Sequence, residues 1–292
     1  MPEIHHNGET GPMTQGKSLH PDKLEAILQW NNDPCGLVDG LSPDDAAYWL
    51  GVDAHRYGTY APWMQETFGF DRFPGKRLLE IGFGLGSDLM QFVRGGCEAH
   101  GIDLTPRHVE LTRRRFCAAG MRAHLTQGDA EFLPYASEAF DIVYSFGVLH
   151  HTPDMPAALS EIHRVLQPGG TLILAVYHRY SLVIAWKILV DGILRGELFK
   201  SDWRTFMSRI EQRHDINPAR PLVNLYSRSD LKRLLNRFSS VNYLIRHAPS
   251  TIVRRTDNHL KAAAKRLLGR LQSCNELLSR WFGWYLIAVA RK

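Results

Sequence analysis

Short apolar runs alternate with segments of helical periodicity along the middle of the chain, from residue 77 to residue 177. Short runs that are apolar on both faces are typical of strands buried inside a parallel sheet. The pattern predicts five strands and three helices. The strands are 77–81, 98–103, 124–127, 140–145 and 171–177, and the helices are 87–93, 106–119 and 155–165. This alternation predicts an α/β fold with a Rossmann-like, mostly parallel sheet and helices on both faces.

The segments around this core carry further helical patterns. Residues 21–75 are rich in aromatic side chains and predict an N-terminal helical cap, whereas the polar residues 1–20 predict a disordered tail. The pattern breaks at 178–225, which is too long for a plain loop and predicts a helical lid insertion. Within this lid, Lys187 and Asp191 stand four residues apart and are predicted on the outer face of an apolar helix.

The end of the chain is predicted to return to the sheet. A helix over 229–238, a strand over 241–246 and a final strand over 283–290 are predicted, with a basic helical insertion at 249–282. The expected result is one domain over 76–292, with seven strands and helical insertions after strands five and six.

Two local patterns bear on the core. The three consecutive arginines at 113–115 are predicted on the outer turns of their helix, in contact with solvent. The Gln-Pro-Gly-Gly sequence at 167–170 is predicted as a turn that precedes strand five. Both interpretations follow from residue polarity and turn chemistry alone.

The composition describes an ordinary globular protein with an uneven charge. The chain has 292 residues, of which 44% are hydrophobic and 22% charged, and this excludes a wholly disordered or collagen-like protein. The net charge of +5 comes from residues 254–292, which contain nine basic and two acidic side chains. This stretch is either a solvated helix face or a contact for an anionic partner such as nucleic acid or a lipid surface.

Cysteine spacing and hydropathy set the expected location. Cys35, Cys97, Cys117 and Cys274 form no CxxC pair and no zinc-type spacing, so free thiols are expected and no metal site is predicted. The first 20 residues lack the apolar core of a signal peptide. No apolar run approaches the roughly 18 residues that a bilayer span requires. A cytoplasmic protein is therefore expected.

A glycine-rich loop directly follows the first strand. Gly82, Gly84 and Gly86 alternate with other residues between that strand and the next helix, and Glu80 precedes them. Glycine is needed where the backbone turns sharply or where a ligand approaches main-chain atoms. The dinucleotide pattern is GxGxxG, whereas this loop is GxGxG, so the spacing points away from NAD.

Two acidic residues follow the next two strands. Asp103 ends strand two and can accept hydrogen bonds from both hydroxyls of a ribose. Asp129 follows strand three, where a carboxylate can accept from the exocyclic amine of adenine. Because the carboxyl ends of parallel strands meet at one edge, these acids and the glycine loop are predicted to form one adenosine-cofactor site.

Residues 76–177 resemble a class I S-adenosylmethionine-dependent methyltransferase of the ubiquinone/menaquinone-biosynthesis type, the methyltransferase type 11 subgroup. The matching stretches are LLEIGFGLGSDL, GIDLT, QGDAEFLPY, FDIVYSFGVLHHTPD and EIHRVLQPGGTLIL. The resemblance implies a seven-stranded sheet whose last strand is antiparallel, and it makes 76–292 the methyltransferase domain. It implies S-adenosylmethionine as the cofactor, S-adenosylhomocysteine as the product and a small molecule as the methyl acceptor.

The resemblance also implies roles for single positions. The residues expected to border the methionine part of the cofactor are Glu80, Gly82, Phe83, Gly84, Gly86 and Phe146. Asp103 is expected to bind the ribose, Leu104 to pack on the adenine, and Asp129 and Ala130 to contact the edge of the adenine.

The residues after strand four are the candidates for catalysis. His150 and His151 are predicted at the rim that faces the cofactor, where an imidazole suits proton transfer near neutral pH. His151 is the better candidate for a general base, because it stands one residue further from the strand. The alternative is that both only form pocket walls. Tyr57 is a further candidate that would close over the cofactor or line the acceptor pocket.

Three functions remain open on the sequence alone. A small-molecule methyltransferase is favoured, with an apolar, natural-product or lipid-like acceptor that a lid helix would suit. A nucleic-acid-modifying enzyme is suggested by the basic segment but lacks a recognisable RNA-binding module. The third is a fold relative that binds the cofactor without transferring methyl. Peripheral membrane contact through 254–280 is an additional hypothesis that is not favoured, and the oligomeric state is not predicted.

Overall fold

A single seven-stranded sheet organises the chain in this computed structural model, which describes residues 19–36, 42–211, 218–247 and 278–292. The strands are β1 (Arg77–Ile81), β2 (Glu98–Asp103), β3 (His124–Gln127), β4 (Phe140–Phe146), β5 (Leu166–Tyr177), β6 (Ser240–Arg246) and β7 (Tyr285–Arg291). Their order is β3-β2-β1-β4-β5-β7-β6, and β7 runs antiparallel to both neighbours. The predicted mostly parallel sheet with an antiparallel last strand is confirmed.

Helices cover both faces of this sheet, as predicted. The helices are α1 (Pro21–Asn32), α2 (Ala46–Asp53), α3 (Met64–Phe68), α4 (Ser87–Arg94), α5 (Pro106–Ala118), α6 (Met155–Val165), α7 (Leu182–Lys187), α8 (Trp203–Ser208) and α9 (Arg228–Leu234). Strand side chains alternate between two apolar layers: Leu78 belongs to the layer that contains α4 and α5, whereas Leu79 belongs to the layer that contains α6 and α9. None of these described helices is long and apolar enough to cross a membrane.

The start of strand five differs from the prediction. Residues 167–170 do not form a separate turn between α6 and β5, because β5 already starts at Leu166. Phe140 pairs with Leu166 and Ile142 pairs with Thr171, so the extra residues form a bulge within the strand. The carboxyl terminus stabilises the bulge, since the Gly169 N–H donates to the Lys292 carbonyl at 3.0 Å and the Lys292 N–H donates to Gly170 at 3.0 Å. The structure thus differs from the predicted turn before strand five, because residues 167–170 form a bulge inside β5 that hydrogen-bonds to Lys292.

Arg115 is the second difference from the prediction. Its side chain is only 2% exposed and does not reach solvent. Its guanidinium donates to the Leu85 carbonyl at 2.9 Å and to Ser87 Oγ at 2.8 Å, and it pairs with Asp53 at 2.6 Å. The expected outer position is wrong for this arginine, because the loop after β1 and the helical segment α2 supply enough acceptors to bury it.

The segment after β5 places its charges inward. α7 continues as a π-helical turn over Ile188–Leu194. The 3.6-residue period of an α-helix therefore does not predict which side chains of this turn face solvent. Lys187 was predicted on the outer face, but its side chain is 11% exposed and lies over the Phe206 ring at 4.7 Å. Asp191 lies 3.8 Å from the Lys187 ammonium, and both residues line the cavity described below. The outer-face prediction is wrong for this pair.

Two predicted segments lie mainly outside the described residues. Residues 1–18 of the expected tail are outside them, as are residues 248–277 of the expected basic insertion. Residues 278–282 are helical and lead into β7. The hypotheses that concern the basic stretch therefore stay predictions.

Candidate active site

A cavity of about 1050 Å³ opens at the carboxyl edge of the sheet, beside the neighbouring strands β1 and β4. From β1 the chain continues to β2 on one side of the sheet, and from β4 it continues to β5 on the other side. Ligands of open α/β sheets bind at this kind of switch point. The predicted site residues on the cavity wall are Glu80, Gly82, Phe83, Gly84, Asp103, Leu104, Asp129, Ala130, Phe146 and His151. Three predicted residues are not part of the wall that the described chain forms, namely Gly86, His150 and Tyr57.

The glycines of the loop after β1 have different tasks. All three have positive φ angles, which side chains rarely adopt: 76° at Gly82, 53° at Gly84 and 71° at Gly86. A Cβ at Gly82 would collide with Val148, and one at Gly86 would collide with Thr112. At Gly84 no heavy atom of the described residues lies within 4 Å of that position, and Gly84 lines the cavity. Gly84 is therefore the position that lets a ligand approach the main chain.

Asp103 is held in its ionised form at the end of β2. Its carboxylate accepts from the Gly84 N–H at 3.0 Å and the Thr105 N–H at 2.9 Å, and it contacts His108 Nδ1 at 3.2 Å. Burial alone would raise the pKa of Asp103, but His108 and these N–H donors outweigh burial and lower the pKa. The loop thus orients a charged acceptor toward the cavity.

His108 belongs to the same site and was not predicted. It lines the cavity, and its buried Nε2 has no hydrogen-bond partner among the residues that the structure describes. The only signal in the sequence is its position near the start of α5, five residues after Asp103. The free ring nitrogen offers a second polar contact at the ribose end of the expected cofactor.

Asp129 is tied to the first helix. Lys23 of α1 donates to Asp129 Oδ2 at 2.6 Å and also to Glu131, while Asp129 Oδ1 accepts from the Glu131 N–H at 3.0 Å. Burial lowers the pKa of Lys23, but the two carboxylates outweigh burial and raise it. Lys23 also lines the cavity, so α1 covers the end where adenine was predicted. No local pattern predicts this contact, because its two partners are 106 residues apart.

Glu80 provides an acceptor that the protein does not use. Its Oε2 is buried and, within the described ranges, has no hydrogen-bond partner. Burial and the charge of Asp88 raise the pKa of Glu80 well above its ordinary value. A ligand with an amino group would supply the missing donor and favour the charged carboxylate. This orphaned acceptor, the open face of Gly84 and the ionised Asp103 fit S-adenosylmethionine.

Asp88 fixes the neighbouring side chains, including Tyr57. The Tyr57 hydroxyl donates to Asp88 Oδ1 at 2.7 Å, and Tyr144 donates to Oδ2 at 2.8 Å. Arg56 donates to both oxygens, lines the cavity, and lies over the Phe146 ring at 5.1 Å. The structure thus directs the Tyr57 hydroxyl at Asp88, so Tyr57 positions Arg56 indirectly and does not reach the acceptor region.

The far end of the cavity carries a cluster of buried polar side chains. His151 Nδ1 lies 2.6 Å from the Leu222 carbonyl, and its ring packs 4.6 Å from that of Trp30. The Tyr177 hydroxyl donates to Glu211 Oε1 at 2.8 Å, and both residues line the cavity with His151. Glu211 was not predicted, because it lies in the segment after β5 that follows no recognisable motif.

Both histidines of the predicted pair are neutral in this environment. Burial and the neighbouring His151 lower the pKa of His150 well below its ordinary value. Burial also lowers the pKa of His151, although the Glu211 charge and the Leu222 carbonyl oppose it. A neutral imidazole can accept a proton or bind a cation, and His151 is the one of the pair that faces the cavity.

Comparison with known proteins finds a methyltransferase domain in the middle of the chain. Residues 79–174 match the family model described as a methyltransferase domain. The chain is 33% identical over 185 residues to phthiotriol/phenolphthiotriol dimycocerosates methyltransferase 1 of Mycobacterium ulcerans, covering 62% of each chain. It is 34% identical over 138 residues to a ubiquinone biosynthesis O-methyltransferase of Cereibacter sphaeroides, which covers 47% of this chain and 56% of the relative. The chain thus matches less than two thirds of these relatives' own length.

Solved structures share the fold at low sequence identity. A methyltransferase of Haloferax volcanii, solved with the Trm112 methyltransferase activator, aligns with a TM-score of 0.53 and 18% identity over 86% of this chain and 97% of that one. The PH0226 protein of Pyrococcus horikoshii aligns with a TM-score of 0.52 and 13% identity over 90% and 99%. At these identities the likeness concerns the fold alone. Together with the matched domain and the sequence relatives, the fold supports a class I S-adenosylmethionine-dependent methyltransferase with S-adenosylmethionine as the cofactor.

Proposed function

We propose that this protein transfers the methyl group of S-adenosylmethionine to a hydroxyl or other acidic group of an apolar, lipid-like small molecule. One observation carries the proposal. A single cavity connects Asp103 and Gly84 at the cofactor end with His151 and Glu211 at the far end. At about 1050 Å³ it reaches the upper limit of roughly 300–1,000 Å³ that is usual for one small ligand, which leaves room for an acceptor beside the cofactor.

Each end of the cavity has its own task in the proposed reaction. Glu80, Gly84, Asp103 and His108 bind and orient the cofactor, which supplies an electrophilic methyl group on sulfur. Methyl transfer is an in-line displacement: the acceptor atom forms the new bond to carbon while the carbon–sulfur electron pair stays on sulfur. Positioning and exclusion of water are therefore the main demands. The acceptor's proton must leave toward a neutral group at the far end, where His151 stands.

The apolar side chains of the cavity wall support an apolar acceptor. Val183, Trp186 and Val190 of the segment after β5 line the cavity together with Tyr60 and Tyr285, and charged side chains of the same segment, among them Lys187 and Asp191, offer contacts for a polar head group. Of the relatives named above, one is a methyltransferase of phthiotriol and phenolphthiotriol dimycocerosates, and the other is an O-methyltransferase of ubiquinone biosynthesis. The same class of acceptor is proposed for this chain.

Labelled cofactor tests the proposal directly. The full chain is incubated with S-adenosylmethionine labelled in the methyl group and with three separate fractions: polar metabolites, extracted lipids and total RNA. Label in a product of the lipid fraction, identified by mass, is the expected result. Label in RNA would favour the nucleic-acid alternative, and unreacted cofactor with every fraction would favour a relative that only binds it. The Asp103→Asn variant serves as the control that lacks the cofactor contact.

A further inference from the structure

We infer that His150, His151 and Glu211 form a binding site for a divalent transition-metal ion at the acceptor end of the cavity. Each residue offers one ligand atom, and these atoms all lie within 4.8 Å of one another. His150 and His151 are buried, and Glu211 is half-buried. No motif predicts this cluster, since Glu211 lies 60 residues after His151 in a segment without a recognisable pattern.

His150 supplies the observation that points to a ligand. Its side chain is fully buried, and neither of its ring nitrogens has a hydrogen-bond partner in the described part of the chain. An imidazole always presents at least one N–H group, and its neutral form also presents a lone pair. Leaving such a group unsatisfied in the interior costs about 1–3 kcal/mol. A metal–nitrogen bond would satisfy the lone pair.

The other two ligands are oriented from behind. The Leu222 carbonyl, 2.6 Å from His151 Nδ1, favours the tautomer with the proton on Nδ1 and leaves Nε2 free to bind a cation. The Tyr177 hydroxyl holds Glu211 Oε1 at 2.8 Å, and Gln29 of α1 donates to the Glu211 carbonyl at 3.2 Å. Hydrogen bonds of this kind fix the orientation of the side chains that bind the metal in known metal sites.

The donor set defines the kind of cation. Two imidazoles and one carboxylate suit zinc, iron, cobalt or manganese, and three protein ligands leave positions open for a substrate. With metal–ligand bonds of about 2.0–2.2 Å, side-chain movements of roughly 1 Å would bring the three atoms together. His151 and Glu211 line the cavity, so the open positions face the acceptor. An acceptor hydroxyl bound there would release its proton to solvent water more readily, because the ion stabilises the oxygen anion that is left.

This inference gives His151 a ligand role in place of a base role. The position of the site follows from the cluster alone, whereas its role as an acceptor site rests on the proposed function. Metal binding can be measured without any methyl transfer, so an experiment can contradict the metal site and leave the proposed methyl transfer intact, or the reverse.

A second cluster of similar composition provides the matched control. Glu98, His100 and His124 also lie within ligand distance of one another, but they sit on β2 and β3, and Glu98 and His124 are exposed. None of the three lines the cavity that the described residues form. A variant at His124 therefore removes a histidine–carboxylate cluster without touching the proposed site.

Cobalt(II) is the probe, because its visible absorption reports coordination by protein ligands. The full chain is stripped with a chelator and titrated with cobalt chloride as the wild type, Glu211→Gln and His124→Ala. The expected result is one equivalent bound by the wild type and by His124→Ala. For Glu211→Gln we expect an affinity at least about tenfold lower, as is usual when a metal site loses an anchoring group. Calorimetric binding of S-adenosylmethionine to each variant verifies that it is folded.

Two outcomes overturn the inference. One is a wild type that gives no cobalt absorption up to 1 mM, roughly the weak limit of protein cation sites. The other is a signal that His124→Ala abolishes and Glu211→Gln retains. If the stripped wild type still labels its acceptor while binding no cobalt, the metal site is wrong and the proposed methyl transfer stands.

Discussion

The two ends of the cavity are built in different ways. At the cofactor end, all the predicted residues except Phe146 come from one continuous stretch, Glu80 to Ala130, in which main-chain N–H groups orient Asp103, and Lys23 of α1 adds a single distant contact. At the acceptor end, the wall combines His151 after β4, Tyr177 at the end of β5 and Glu211 beyond it, backed by Trp30 of α1. The first end depends on local backbone geometry, and the second depends on how distant segments pack.

The two ends also differ in electrostatics. Asp103 is kept charged by His108 and two N–H donors, and Asp129 is paired with Lys23. His150 and His151 are instead kept neutral by burial. A charged, donor-rich site suits binding of a polar cofactor, whereas neutral imidazoles beside a carboxylate suit activation of an acceptor. Variants at the two ends should therefore affect different measured quantities.

The largest effect is expected for His151→Ala. Loss of the imidazole that faces the acceptor should lower turnover by about 10²–10⁴-fold, whether it accepts a proton or holds an ion. Cofactor affinity, measured by calorimetry, should stay within about twofold, because the ring lies at the other end of the cavity. His163→Ala, a histidine of α6 away from the cavity wall, is the control for turnover. Parallel loss of turnover and cofactor affinity would show that the histidines are only walls.

Asp103→Asn should have the converse effect. Removing the charge of a buried acceptor should weaken S-adenosylmethionine binding by about 1.5–3 kcal/mol, or roughly ten- to a hundredfold. Asp141→Asn is the matched control, because that carboxylate accepts from the Arg77 N–H at the opposite edge of the sheet. Equal affinity of Asp103→Asn and the wild type by calorimetry would refute the ribose-contact assignment.

A smaller effect is expected for Lys187→Met. The Lys187 ammonium faces the cavity over the Phe206 ring, so its loss should raise the KM for the acceptor by about fivefold, near 1 kcal/mol, with little change in kcat. Lys200→Met, an exposed lysine of the same segment, should leave both constants unchanged. A fall in kcat at constant KM would contradict a role in acceptor binding.

The smallest effect concerns stability at low pH. The Ser227 hydroxyl, aided by the Ser227 N–H and Arg233, lowers the pKa of Asp230 from 3.8 to about 2. The unfolded chain therefore binds this proton first as the pH falls. The contribution to the free energy of unfolding is complete above about pH 4 and is lost between about pH 4 and pH 2. After solvent screening it should amount to about 1 kcal/mol.

Urea unfolding at several pH values between 2.5 and 5 measures this contribution. In Asp230→Asn the pH dependence should become shallower by that amount. Asp71→Asn, an exposed carboxylate before β1, should behave like the wild type. An unchanged slope in Asp230→Asn would show that the capping interaction does not persist in solution.

The sequence predicted the first end of the cavity much better than the second. The strands 77–81, 98–103 and 124–127 agree with β1, β2 and β3 at both ends. For β1 the reason is that a buried parallel strand leaves a local apolar signature, whereas β3 lies at the sheet edge and is partly exposed. The glycine loop and Asp103 could be found because motif spacing is local. Their roles in cofactor binding stay predictions.

The errors have a common physical origin in long-range pairing. Arg115 was predicted in solvent, but Asp53 and the carbonyl of Leu85 provide partners that burial requires. Lys187 was predicted on the outer face of its helix, but a π-helical turn follows it and its ammonium group lies over the Phe206 ring of α8. Glu211 and Lys23 were missed for the same reason. Polarity along the chain predicts exposure only where no distant segment supplies a counter-charge.

The first helix makes the two ends mechanically dependent. α1 holds Asp129 through Lys23, packs Trp30 on His151, and supports Glu211 through Gln29. Any displacement of α1 that uncovers the adenine end therefore also disturbs the groups around the acceptor. Because one continuous helix carries these three contacts, a substitution that shifts α1 would change the surroundings of both ends of the cavity together.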